Sequence, residues 1–264
     1  MSLMEFLAYL GTGVLSGLLA GLFGVGGGVV VVPALIGLFT QVGQTHGWIA
    51  HLAVGTSLAT ILGTGGASAY AHHSRGAVRW DLFVRMAPWI LVGAGIGAAV
   101  AGLLDEAWLR RIFALFLLYV GLRMLSKEAA AQPTGLPGAV GLGLAGTAIG
   151  ALSALVGIGG GTLTVPFLSR SGLDMRRAVA TSSACGLPIA LAGTLGYIVV
   201  GWNRAGLPAG STGFVYWPAV VAILLASIPT APLGARLAHS LPLAVLKRIF
   251  AMLVLIVAVK LLWP

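Results

Sequence analysis

The sequence predicts an all-α, polytopic membrane protein made of two inverted repeats, each a broken re-entrant helical hairpin followed by three transmembrane helices. Three observations predict it: an apolar, charge-poor composition, a duplicated glycine-rich motif, and a one-sided distribution of basic residues. Of 264 residues, 58% are apolar and only 8% charged, against roughly 25% charged in soluble domains. A soluble core is excluded. Apolar stretches recur at Leu3 to Phe23, Leu82 to Leu104, Ile112 to Leu125, Ala139 to Val156, Phe214 to Leu233 and Ile249 to Trp263, and lengths near 20 residues can cross a bilayer. Forty glycines suit membrane helices, where small residues let backbones approach.

The second observation is internal duplication. Gly24-Val25-Gly26-Gly27-Gly28, with Pro33 following, recurs as Gly157-Ile158-Gly159-Gly160-Gly161, with Pro166 following. Two further matches keep the same order. Ala53-Val54-Gly55-Thr56-Ser57 pairs with Ala178-Val179-Ala180-Thr181-Ser182, and Leu109 to Ala114 pairs with Leu246 to Ala251. The expected organisation is a repeat over 1–126, a linker over 127–138 and a second repeat over 139–264. After each glycine-broken segment come three expected helices: Ile49 to His73, Leu82 to Leu104 and Trp108 to Ser126, then Arg177 to Gly201, Phe214 to Ala238 and Val245 to Trp263.

Charge sets the topology. If every segment crossed once, the 15 Lys and Arg would split 7 against 8, which no orientation rule favours. If both broken segments return to their own side, one face collects Arg75, Arg79, Arg85, Arg123, Lys127, Arg170, Arg176, Arg177, Arg236, Lys247 and Arg248, and the other keeps Arg110, Arg111, Arg204 and Lys260. The basic face reads as cytoplasmic, and both termini as non-cytoplasmic. Parity alone allows hairpins or double crossings. The short second arms, Val29 to Thr40 and Thr162 to Ser169, favour hairpins, while the first arm is long enough to span and would have to lie obliquely. Met1 to Glu5 has no basic run and reads as a retained terminus.

A glycine run lets the backbone turn without Cβ clashes and leaves amide N–H groups unpartnered where the next helix starts. At membrane depth such backbone must be buried in protein or line a cavity. The positive end of the following helix favours an anion. The candidate substrate-binding residues are therefore Gly24, Gly26, Gly27 and Gly28 with Gly157, Gly159, Gly160 and Gly161, joined by the hydroxyls of Thr56, Ser57, Thr181 and Ser182, with Ser183 beside the second pair. Pro33 and Pro166, early in the following arms, help set the breaks.

Other readings lose support. The six acids, Glu5, Asp81, Asp105, Glu106, Glu128 and Asp174, sit mostly at expected loops, so a metal-cation carrier has no intramembrane carboxylate, and no metal site is expected. No nucleotide or cofactor motif occurs, and the net charge of +9 lacks the basic run that nucleic acid needs. Cys185 reads as a small buried apolar residue. His72 and His73 end a helix beside Arg75, and His46, His51 and His239 read as peripheral. A membrane enzyme would need a nucleophile with a positioned base, which Ser57, Ser182 and Cys185 lack.

The duplicated glycine motifs with their prolines, Gly24 to Pro33 and Gly157 to Pro166, and the duplicated Thr-Ser pairs resemble the sulfite exporter TauE/SafE family, also called toluene sulfonate uptake permeases. The resemblance covers essentially the whole chain. It implies a multi-pass protein of the bacterial inner membrane, moving sulfite, an organosulfonate or a related sulfur-containing anion, often outward. It carries a binding role to the glycine breaks and the Thr-Ser pairs. A secondary carrier is expected, with the two breaks meeting near mid-membrane; an anion channel or a carboxylate carrier is the alternative.

Overall fold

Backbone polar groups in lipid must be satisfied within the chain, and here they are satisfied almost wholly by helices. In a computed structural model, residues 2–23, 26–43, 47–125, 135–237 and 243–262 are described. Their helices are α1 (Leu3–Phe23), α2 (Gly28–Gln41), α3 (Ile49–His73), α4 (Trp80–Leu103), α5 (Glu106–Leu125), α6 (Ala139–Val156), α7 (Gly161–Arg170), α8 (Met175–Gly201), α9 (Trp217–Leu237) and α10 (Leu243–Leu262). Among the described residues, α1, α3, α4, α6, α8 and α9 are long and apolar enough to cross a membrane. Arg110, Arg111 and Arg123 set α5 apart from these; it packs along α10. The expected all-α, multi-pass architecture is present.

Element ends follow local chemistry. Asp174 caps α8, its carboxylate accepting from the Arg177 amide at 3.0 Å, as N-cap residues do. Gly157 closes α6 in the left-handed region at φ 72°. One expected boundary shifts: Phe214 was assigned to the helix that becomes α9, but it lies in the turn of a two-stranded antiparallel hairpin, β1 (Ser211–Thr212) and β2 (Val215–Tyr216). The hairpin tucks inward. Phe214 and Val215 are fully buried, and the Phe214 carbonyl lies against Gly55 of α3.

Close helix contacts reveal running directions. Gly13, Gly17 and Gly21 of α1 meet Ile223, Ser227 and Ala231 of α9 in that order, so the two helices are parallel. Gly93 and Gly97 of α4 meet Thr147 and Ala151 of α6, again parallel, and Gly102 of α4 meets Val200 of α8 while Ala98 meets Gly196, also parallel. Across the centre, Leu58 of α3 meets Gly193 of α8, and Gly65 meets Leu187, so α3 and α8 are antiparallel. Thr56 and Thr64 of α3 reach Tyr216, just before α9, and Ser227 in its middle, a parallel pair. Hence α1, α3 and α9 run one way and α4, α6 and α8 the other.

Because α1 and α3 run the same way, α2 returns the chain between them, and α7 does so between α6 and α8. At 1.5 Å per residue α2 covers about 21 Å and α7 about 15 Å, short of a core about 30 Å thick. The long first arm, α1, runs beside α9 for most of its length, Gly21 meeting Ala231 and Ala235 close to the end of α9. The two halves are interleaved, α1 packing on α9 and α6 on α4.

Candidate functional site

The site is where the two glycine breaks meet. Gly26 and Gly27 hold φ 72° and 79°, and Gly160 holds 42°, conformations that favour glycine. Gly27 and Gly160 are the N-caps of α2 and α7, and neither has a side chain to cap with. Val30 and Val31 are the first amides of α2 to find a carbonyl, both on Gly27 at 3.0 and 3.1 Å. In α7, Leu163 and Thr164 bond to Gly160, but the Gly161 amide is already taken by the Gly159 carbonyl. The Gly28 and Val29 amides of α2 and the Thr162 amide of α7 have no backbone partner among the described residues and form the positive end of each helix.

These ends face each other. A Cβ at Gly26 would stand 3.1 Å from the Gly159 Cα, and one at Gly28 would run into the Gly157 carbonyl and stand 2.9 Å from the Ile158 Cα. Gly161 opens α7 and is buried. Gly24 lies outside the described residues. The flanking walls are the central antiparallel helices: Ile61 of α3 lies against Gly26, while Gly186 and Ile189 of α8 lie against Gly159 and Gly160. Two like-signed helix ends buried in contact call for negative charge or an acceptor between them.

The Thr-Ser pairs divide. Ser57 donates its hydroxyl to the Gly157 carbonyl at 2.8 Å, tying α3 to the second break. Ser182 is fully buried, and its oxygen finds no partner among the described residues. Thr56 accepts from the Tyr216 amide at 3.0 Å, and Thr181 accepts from the Arg79 amide at 3.0 Å. Both threonines thus anchor the entry of the other half's helix, α9 or α4, and only their hydroxyl protons remain to donate. Ser183 donates to the Val179 carbonyl at 3.1 Å.

Sequence reasoning missed two features. His51 is not peripheral: it is fully buried, its Nε2 lies 3.0 Å from the Ala101 carbonyl, and its ring packs on Phe214 at 5.0 Å. Burial under the hairpin explains it. Thr164 in α7 is likewise fully buried, and its hydroxyl is unpartnered among the described residues. Its signal was a difference between the duplicated motifs, not a match. His46, His239, Glu128 and most of the linker lie outside the described residues; Cys185 is buried and free as expected. Among the described residues no cluster of His, Cys, Asp or Glu could hold a metal ion.

Comparison with known proteins agrees with this architecture. Residues 9–261 match the family model described as "Sulfite exporter TauE/SafE". A "Probable membrane transporter protein" of Haemophilus influenzae is 37% identical over 94% of this chain and 94% of its own length. One of the same name from Xylella fastidiosa (strain 9a5c) is 30% identical over all of this chain and 97% of its own. "Probable membrane transporter protein MJ0441" of Methanocaldococcus jannaschii is 29% identical over 84% of this chain. No solved structure matches. With long apolar helices, interleaved halves and a family match across nearly its whole length, the chain belongs to the sulfite exporter TauE/SafE family of membrane transporters.

Proposed function

We propose that this transporter is a secondary carrier that exports a small sulfur-containing anion, sulfite or an organosulfonate, through a site formed by both glycine breaks. The observation that carries the reading is the contact between the breaks, Gly26 on Gly159 and Gly28 on Gly157. It brings two helix N-termini to one place, where an oxyanion satisfies donors from each. The sulfur chemistry comes from the family description, "Sulfite exporter TauE/SafE". The substrate-binding set is Gly24, Gly26, Gly27, Gly28, Gly157, Gly159, Gly160 and Gly161 with Ser182; Ser57, its proton donated to the Gly157 carbonyl, holds the second break in place, and Thr56 and Thr181 contribute their remaining hydroxyl protons.

The carrier is read as two inverted repeats, 1–126 and 139–264, joined by 127–138. Support comes from the opposed directions of matching helices, α1 against α6, α3 against α8 and α4 against α9. Inverted repeats around broken helices are a recurrent carrier design. Rocking one half against the other would expose the breaks to each side in turn. If α5 and α10 also cross, as the sequence reading has them, eleven of the 15 basic residues fall at one face, which supports a cytoplasmic assignment for it and non-cytoplasmic termini in a bacterial inner membrane.

Flux of labelled sulfite, alkane sulfonates and carboxylates in proteoliposomes tests the proposal. Saturable counterflow of a sulfur oxyanion is the expected result. Diffusive conductance without counterflow would make the protein a channel, and preference for carboxylates would displace the sulfur assignment.

A further inference from the structure

The duplicated motifs differ at two positions that bear on chemistry. α2 begins Gly28-Val29-Val30-Val31-Val32-Pro33, whereas α7 begins Gly161-Thr162-Leu163-Thr164-Val165-Pro166. Counting from the glycine, Val29 and Val31 stand where Thr162 and Thr164 stand. One break therefore opens on an apolar turn and the other on a turn carrying two hydroxyls.

Thr164 is fully buried, and its Oγ1 finds no hydrogen-bond partner among the described residues. A threonine in a helix ordinarily bonds back to a carbonyl of the preceding turn, as Thr12 and Thr40 do here at 2.8 and 2.7 Å. Thr164 does not. Its oxygen lies over the break instead, 3.2 Å from where a Cβ of Gly160 would be. Across the same gap the Gly186 amide lies 4.0 Å from that point. Ser182, another fully buried hydroxyl without a described partner, stands four residues before Gly186, on the same face of α8. A buried hydroxyl left unbonded costs free energy unless a ligand or water engages it.

We propose that Thr164 is a substrate-contacting, specificity-determining residue whose hydroxyl donates to the oxyanion, so that the second break adds a side-chain donor to the charged head while the valine-lined first break offers it backbone amides alone. The assignment rests on the anion-carrier reading above. It gives the site a polar side and an apolar side, a match for an anion with a hydrocarbon group, such as an alkane sulfonate.

The test is counterflow of labelled sulfite and of a short alkane sulfonate in proteoliposomes, comparing wild type with Thr164→Val and Thr164→Ser. Valine keeps the shape and removes the donor; serine keeps the donor. The expected result is a KM raised by about tenfold or more in Thr164→Val, with the maximal rate less affected and with wild-type KM retained in Thr164→Ser. Thr164→Ala provides the same comparison should the valine variant purify poorly. Wild-type KM in the valine or alanine variant overturns this assignment alone. A wild-type protein that moves none of these anions overturns the carrier reading and this assignment with it.

Discussion

Single hydroxyls carry much of the tertiary wiring at the centre of this protein. Ser57 spends its proton on the Gly157 carbonyl, a bond across the two halves in a fully buried setting. Ser57→Ala should leave that carbonyl unbonded and lower stability by about 1–3 kcal/mol, read as a lower melting temperature in detergent. Ser182→Ala removes a hydroxyl that has no described partner and should leave the melting temperature within a degree or two. Ser57 and Ser182 are alike in the sequence, each following a threonine in a repeated motif, so this difference was not legible there. It depends on which carbonyl the opposing half presents. Thr164 escaped for another reason: the duplication drew attention to what the halves share, and its information lies in what they do not.

Helices pack here through glycine seams, and the seam faces were legible from spacing. Gly93 and Gly97, four apart, both lie on the α6 backbone, whereas Gly95 between them has open space around it. Gly93→Leu should force α4 from α6 and abolish recovery of folded protein, since overpacking costs about 1–3 kcal/mol even where neighbours can shift, and backbone cannot. Gly95→Leu should be recovered at wild-type yield, because its face is exposed. Size-exclusion profiles in detergent distinguish the two. The spans themselves were readable to within a few residues, Ile49–His73 at both ends, because continuous apolarity in lipid admits little but helix. The β1–β2 hairpin was not. Its second strand, Val215–Tyr216, runs straight into the apolar start of α9, and the turn at Gly213, with φ 54°, lies between the two strands. That hairpin places Phe214 against Trp48 and His51 at 5.3 and 5.0 Å, which is why a histidine read as peripheral is buried.

At the scale of the whole molecule, running directions and charge make one topological statement. The loop after α3 and the loop after α8 belong to opposite faces. Cys185 is fully buried, so wild type offers a quiet background for a membrane-impermeant thiol reagent. Ala205→Cys should label on intact cells and Ser74→Cys only after permeabilisation; the reverse pattern would turn the molecule over. That two glycine breaks form one anion site by touching is checked by labelled-anion counterflow in Gly28→Ala and Gly95→Ala. A Cβ at Gly28 would run into the Gly157 carbonyl of the opposite break, and Gly28 is not among the glycines of positive φ, so only the meeting of the breaks is disturbed. At Gly95, on the exposed face of α4, a Cβ would meet nothing within 4 Å. Counterflow is expected to fall at least about tenfold in Gly28→Ala and to stay near wild type in Gly95→Ala. A Gly28→Ala protein that melts and transports like wild type would contradict it.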